Sequence, residues 1–257
     1  MSERPITAWW PARRAFIPYV TAGFPTAVAS REALRRVAAA GADVVEVGVP
    51  FSDPLADGPT IQRTTQVALE QGMTAAGVLA LIREAALAVP VVIMTYLNPV
   101  LAYAGGLERF VADAHAAGAA ALLLTDLPAG ADPAVEDAVT RSPLALIRLV
   151  APTTDDARLR VALAGATGFV YLVSRLGVTG ARDQVPPDLE AQVRRVHAAT
   201  PLPIAVGFGI STPAQAAGAA RYADGVVVGS ALMDALARDG ADALERSARE
   251  LAAAVHG

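Results

Sequence analysis

The sequence predicts a single (β/α)8 barrel, with residues 1–257 as one domain and residues 1–15 leading into the first strand. Three observations carry that expectation. Eight short runs rich in Val, Ile and Leu alternate with Ala-rich stretches of helical periodicity. The short runs are apolar throughout rather than alternating, as strands covered on both faces of a parallel sheet are. No stretch rich in Pro, Gly and Ser divides the chain in two. A doubly wound open sheet is the rival architecture. It ordinarily carries a glycine-rich fingerprint after its first strand, and Thr21-Ala22-Gly23-Phe24-Pro25 is not one.

In chain order the strands are expected at Phe16–Val20, Val44–Val47, Val91–Met94, Ala121–Leu124, Leu144–Leu149, Phe169–Val173, Pro203–Val206 and Gly225–Val228. Between the first two, Leu34, Val37 and Ala38 form one apolar helical stripe; before the fourth, Leu107, Phe110, Val111 and Ala114 form another. Gly41, Gly118 and Gly165 each stand between a helix and the next strand, where a residue that takes positive φ cheaply stops the helix. Asp155-Asp156, after Thr153-Thr154, reads as a helix cap and first turn. Two connections are long, from Gly48 to about Thr60 and from Ser174 to about Pro186. Both follow strands, on the face where barrel enzymes carry their active sites.

Composition removes several chemistries. All 21 basic residues are Arg, and the chain has neither Lys nor Cys. A lysine Schiff base, a covalently held pyridoxal phosphate and a Walker phosphate loop are therefore excluded. So are a thiol nucleophile, a disulfide framework and a thiolate zinc site. A net charge of −4 gives no basic footprint for nucleic acid. The apolar runs are too short to span a membrane, and Met1–Arg14 has no secretory pattern. A cytoplasmic enzyme is the expectation.

Glu46 carries the strongest chemical signal. A carboxylate inside Val44-Val45-Glu46-Val47 is costly unless it faces a polar pocket, and near the end of a barrel strand it faces the reaction centre. A surface Glu at a strand end is the plainer alternative. The loop that follows, Gly48–Thr60, holds Asp53 and Asp57 among three prolines, which preorganise it. Two carboxylates in different environments suit acid and base roles. The strings Gly207-Phe208-Gly209-Ile210-Ser211 and Gly229-Ser230 stand where the last two barrel loops commonly cradle phosphate on backbone amides, with no need for Lys. Ser174-Arg175-Leu176-Gly177-Val178-Thr179-Gly180 reads either as a hinged lid or as an ordinary strand-to-helix loop. Tyr96, Asn98, Asp126 and Tyr171 fall at or past strand ends, each of a type that also serves structure. His115, His197 and His256 read as helix-surface residues with no metal spacing.

Taken together, these strings resemble the tryptophan synthase alpha subunit family. The carriers are Phe16–Pro25, the 17-residue stretch EVGVPFSDPLADGPTIQ from Glu46 to Gln62, Thr125–Pro128, YLVSRLGVTGAR from Tyr171 to Arg182, and the GFGIS and GSA strings. They occur in family order, and the long stretch is the specific one. The resemblance implies a lyase that cleaves indole-3-glycerol phosphate to indole and D-glyceraldehyde 3-phosphate by a retro-aldol reaction, in tryptophan biosynthesis. It implies Glu46 and Asp57 as the catalytic carboxylates. Tyr171, Thr179, Gly180, Phe208, Gly209, Gly229 and Ser230 would bind substrate, with Thr179 on the lid. Asp53, Pro54 and Asn98 would face a beta subunit in an α2β2 heterotetramer, and that partner, not this chain, would hold pyridoxal phosphate. No metal is implied. A stand-alone indole-3-glycerol-phosphate lyase and a non-catalytic phosphosugar-binding subunit are the alternatives, and retention of Glu46 and Asp57 speaks against the second.

Overall fold

The computed structural model describes residues 9–173, 186–207 and 209–257. Eight parallel strands close into a barrel in sequence order. They are β1 (Ala15–Thr21), β2 (Val45–Gly48), β3 (Val91–Thr95), β4 (Ala119–Leu124), β5 (Ala145–Val150), β6 (Val170–Val173), β7 (Ile204–Gly207) and β8 (Gly225–Val228). Closure comes from β1 pairing with β8, Phe16 opposite Val226 and Pro18 opposite Val228. The expected strands agree to within two residues at each end; β4 starts two earlier, and β2 is displaced by one.

The helices are α1 (Ala27–Ala39), α2 (Pro59–Glu70), α3 (Ala75–Ala85), α4 (Leu97–Leu101), α5 (Gly106–Ala116), α6 (Pro133–Arg141), α7 (Asp156–Ala162), α8 (Leu189–His197), α9 (Pro213–Ala220) and α10 (Ser230–His256). The apolar stripe on α5 is the buried set Leu107, Phe110, Val111 and Ala114. On α1, Leu34 and Val37 are buried with Ala33, while Ala38 lies at the edge of the core. Asp155 caps α7, its carboxylate accepting from the Arg158 amide at 2.8 Å. Gly41, Gly118 and Gly165 have φ of +111°, +101° and +70°, the left-handed conformation expected at helix stops. α10 is interrupted at Gly240, where φ is +77°.

The strands are mostly apolar from Phe16 to Val228, with Thr21, Glu46, Thr95 and Arg148 as their buried polar residues, and helix faces complete the core outside them. At the N-terminal end of the barrel, Trp9 and Trp10 pack on Phe169 with ring centroids 6.2 and 5.3 Å away. The room comes from Gly225, where a Cβ would stand 2.9 Å from the Trp10 ring. The tryptophan pair thus finds a structural place beneath the barrel. At the same end, His256 Nε2 donates to Asp43 Oδ2 at 2.7 Å, and the histidine is only 18% exposed. It ties the end of α10 to the start of β2, so it is not the surface histidine expected.

Candidate active site

The mouth of the barrel, at the C-terminal ends of the strands, is built from three equivalent positions. Tyr19, Glu46 and Tyr171 each stand two residues before the end of their strand. Tyr19 and Glu46 are register partners on neighbouring strands. All three are buried. Both tyrosine rings need a glycine beside them: a Cβ on Gly48 would sit 2.0 Å from the Tyr19 hydroxyl, and one on Gly207 would sit 2.1 Å from the Tyr171 hydroxyl.

Glu46 is 1% exposed, and its Oε1 has no hydrogen-bond partner. Burial, with a smaller contribution from the nearby Asp57 charge, pushes its pKa up to about 8. Among the described residues, no arginine compensates it. At neutral pH the group holds its proton.

Asp57 sits in the loop between β2 and α2, and that loop is fastened rather than loose. Val49 donates its amide to Met94 O at 2.9 Å, and the Asp57 amide donates to Pro54 O at 3.0 Å. Phe51 lies against Tyr96 with ring centroids 5.2 Å apart. The Tyr96 hydroxyl accepts from the Ala56 amide at 2.9 Å and donates to Asp57 Oδ2 at 3.1 Å. Burial raises the Asp57 pKa to about 6, although the Tyr96 hydrogen bond pulls the other way. Two acids with ordinary values near 4 are thus spread to about 6 and about 8. Burial holds the Tyr19, Tyr96 and Tyr171 phenols neutral, and each also feels the Asp57 charge.

Across the mouth, two helices begin differently. At α9, Thr212 and Gln215 form a capping box, with Gln215 Oε1 accepting from the Ser211 amide at 2.8 Å and the Thr212 amide at 3.1 Å. Those amides are already used. α10 begins at Ser230 after Gly229 with no side-chain cap, so its first amides remain open to an anion. Gly209 is exposed with φ of +80°, a conformation that strains any side chain. The first turn of α10 is tied to α2: Asp234 accepts from Arg63 at 2.7 Å and from Thr60 at 3.2 Å.

The structure therefore brings Glu46, Asp57 and Tyr171 together, with Gly229 and Ser230 on the α10 side of the same mouth. Thr179, Gly180, Phe208 and nearly all of the Ser174–Pro186 connection lie outside the described residues. Asp53 and Asn98 are exposed on the outer side of the mouth, with Pro54 half-buried beside a Leu55 that is 93% exposed. Asp126 does not enter the pocket: Oδ1 accepts from the Leu97 amide at 2.7 Å and caps α4. Sequence reasoning missed Tyr19. Its signal was positional, a polar-tipped residue in an apolar strand at the same distance from the strand end as Glu46. Among the described residues, no three His, Asp or Glu side chains gather as a metal ion requires.

A closed parallel barrel with two buried carboxylates of raised pKa at its mouth, and an uncapped helix start after its last strand, defines a (β/α)8 enzyme of acid–base chemistry. Comparison with known proteins narrows the class. Residues 8–256 match the family described as "Tryptophan synthase alpha chain". The alpha chain from Acidiphilium cryptum is 49% identical over 228 residues, covering 88% of this chain and 82% of that one. The alpha chain from Gluconacetobacter diazotrophicus is 47% identical, covering 94% and 91%. A solved tryptophan synthase from Mycobacterium tuberculosis superposes with a TM-score of 0.88 at 41% identity, covering 95% and 93% of the two chains. The chain belongs to the tryptophan synthase alpha chain family, lyases that cleave indole-3-glycerol phosphate.

Proposed function

We propose that Glu46 and Asp57 divide the cleavage of indole-3-glycerol phosphate between them within one barrel domain, residues 1–257. The observation that carries the reading is Glu46, buried, raised to about 8 and without a partner on Oε1. Protonated Glu46 gives its proton to ring carbon C3. The positive charge that develops on the ring is stabilised at the indole N–H by Asp57, ionised above about 6. Glu46, now a carboxylate, takes the proton of the hydroxyl on the carbon attached to C3. The carbon–carbon bond breaks, its electrons restore the aromatic ring, and the side chain leaves as D-glyceraldehyde 3-phosphate. The proton balance closes, and Glu46 is again an acid. The indole serves as its own electron sink, where another aldolase uses a lysine imine or a metal.

The phosphate rests on amides near Gly209, Gly229 and Ser230, with Tyr171 against the substrate; the family resemblance assigns Thr179, Gly180 and Phe208 to substrate binding as well. Asp53, Pro54 and Asn98, around the exposed Leu55, meet a beta subunit that holds pyridoxal phosphate, in a cytoplasmic α2β2 assembly. The test is indole release from indole-3-glycerol phosphate by wild type, Glu46→Gln and Asp57→Asn, with and without a beta subunit. Release by wild type, stimulated by the partner and reduced about 10²-fold or more in either variant, is expected. Release that the partner leaves unchanged points to a stand-alone lyase, and equal release by all three proteins contradicts the assignment of the carboxylates.

A further inference from the structure

Tyr19 is a buried phenol whose hydroxyl is poorly used. Among the described residues its one hydrogen-bond contact comes from Thr21 Oγ1 at 3.4 Å, longer than a good hydroxyl bond. Thr21 in turn is engaged with Thr64 Oγ1 at 2.8 Å, and Thr64 donates to Ile61 O at 3.0 Å. Buried tyrosine hydroxyls ordinarily find full partners, so the weak contact is informative. Beside it stands a second under-used atom, Glu46 Oε1, on the register partner of Tyr19. The hydroxyl is close enough to feel both the Asp57 and Glu46 charges. Gly48 keeps it there, since any side chain at that position would collide with the ring.

The other flank of Tyr19 is the phosphate end of the mouth. A Cβ on Gly229 would lie 3.3 Å from Tyr19 Cβ. Passing from Gly229 just past β8, through Tyr19 on β1, to Glu46 on β2, the pocket wall runs from the open helix terminus to the proton donor. A phosphorylated polyol laid along that wall places its phosphate at one end, its reacting carbon at the other, and its middle hydroxyl against Tyr19.

We infer that Tyr19 is a substrate-binding residue that recognises the middle hydroxyl of the glycerol phosphate side chain. It thereby selects hydroxylated over deoxygenated three-carbon chains. The inference rests on the indole-3-glycerol phosphate reading given above. Glu46 acts on the hydroxyl next to the ring, and Tyr19 holds the neighbouring one, which fixes the rotation about the bond between them. The Thr21–Thr64 pair sets the reach of the phenol without consuming its hydrogen-bonding capacity.

The test pairs enzyme and ligand deletions. Tyr19→Phe removes the hydroxyl and keeps the ring on Gly48. Indole-3-propanol phosphate removes the side-chain hydroxyls and keeps the ring and phosphate. The expected result is a fall of about 10-fold in kcat/KM for indole-3-glycerol phosphate, with the inhibition constant of the propanol analogue unchanged within about twofold. Thr21→Val, which frees the phenol, should give a smaller fall confined to the hydroxylated substrate. Equal losses on both ligands would show that Tyr19 acts through pocket shape alone, and no loss on either would show that the hydroxyl is idle; each overturns the inference. Thermal melting of both variants checks that they are folded. If wild type releases no indole, the reading of the reaction fails, whereas release by wild type without hydroxyl-selective loss in Tyr19→Phe refutes this inference alone.

Discussion

Asp43, two residues before β2, and Glu46, within it, stand three residues apart, and their surroundings are opposites. Asp43, at the foot of the barrel, accepts from Arg13 Nε at 3.0 Å and Nη2 at 2.9 Å. It also accepts from the Phe16 amide at 2.8 Å and meets His256 at 2.7 Å. Glu46, at the mouth, has no cation beside it and no partner for its Oε1 among the described residues. The same contrast holds for Glu136, which pairs with the buried Arg148 and accepts from the Gly130 amide. Where a carboxylate serves the fold, the protein completes its hydrogen bonds. At the proposed reaction centre, the protein leaves it desolvated.

Substitutions that exchange the two environments' roles test this contrast. The largest effect is expected at the mouth, where Glu46→Gln or Asp57→Asn lowers kcat for indole release about 10²-fold or more without lowering the melting temperature. Asp43→Ala should do the reverse. It strands Arg13, His256 and the Phe16 amide, and costs about 3 kcal/mol in denaturant unfolding while kcat stays within about twofold.

The pH dependence of stability follows from the raised value of Glu46. Its ordinary pKa of 4.5 becomes about 8 in the folded protein, so the native state binds this proton more tightly than the unfolded chain does. The contribution is full below 4.5 and is lost as pH rises through about 8. Melting of wild type against Glu46→Gln across that window should show the variant gaining on wild type by a few kcal/mol, on the order set by the shift. A smaller effect is expected from Tyr96→Phe. Loss of the donor to Asp57 Oδ2 moves that carboxyl above about 6. The acidic limb of the kcat/KM profile shifts to higher pH, with a fall of about 3- to 10-fold at neutrality.

Sequence periodicity made the barrel legible because its local rules agree. Gly41, Gly118 and Gly165 stop helices, Asp155 starts one, and the α5 stripe faces the core. Glu46 was legible because a carboxylate in an apolar strand has few structural excuses. Tyr19 was not, since an aromatic residue in an apolar strand reads as core until closure of the barrel puts it in register with Glu46. His256 and Arg148 were hidden for a related reason: their partners, Asp43 and Glu136, are 213 and 12 residues away, and helix spacing does not encode such pairs. The sequence left the role of Asp126 open, because a residue past a strand end can cap the next helix as readily as line a pocket.

The central claim is that Glu46 rests protonated in the working enzyme. Infrared difference spectra of wild type against Glu46→Gln, titrated across the range around 8, test it directly. The expected result is a buried protonated-carboxyl band at neutral pH, absent from the variant, that gives way to carboxylate as pH passes about 8. A carboxylate signal from Glu46 already present at about 6, where Asp57 titrates, would contradict it.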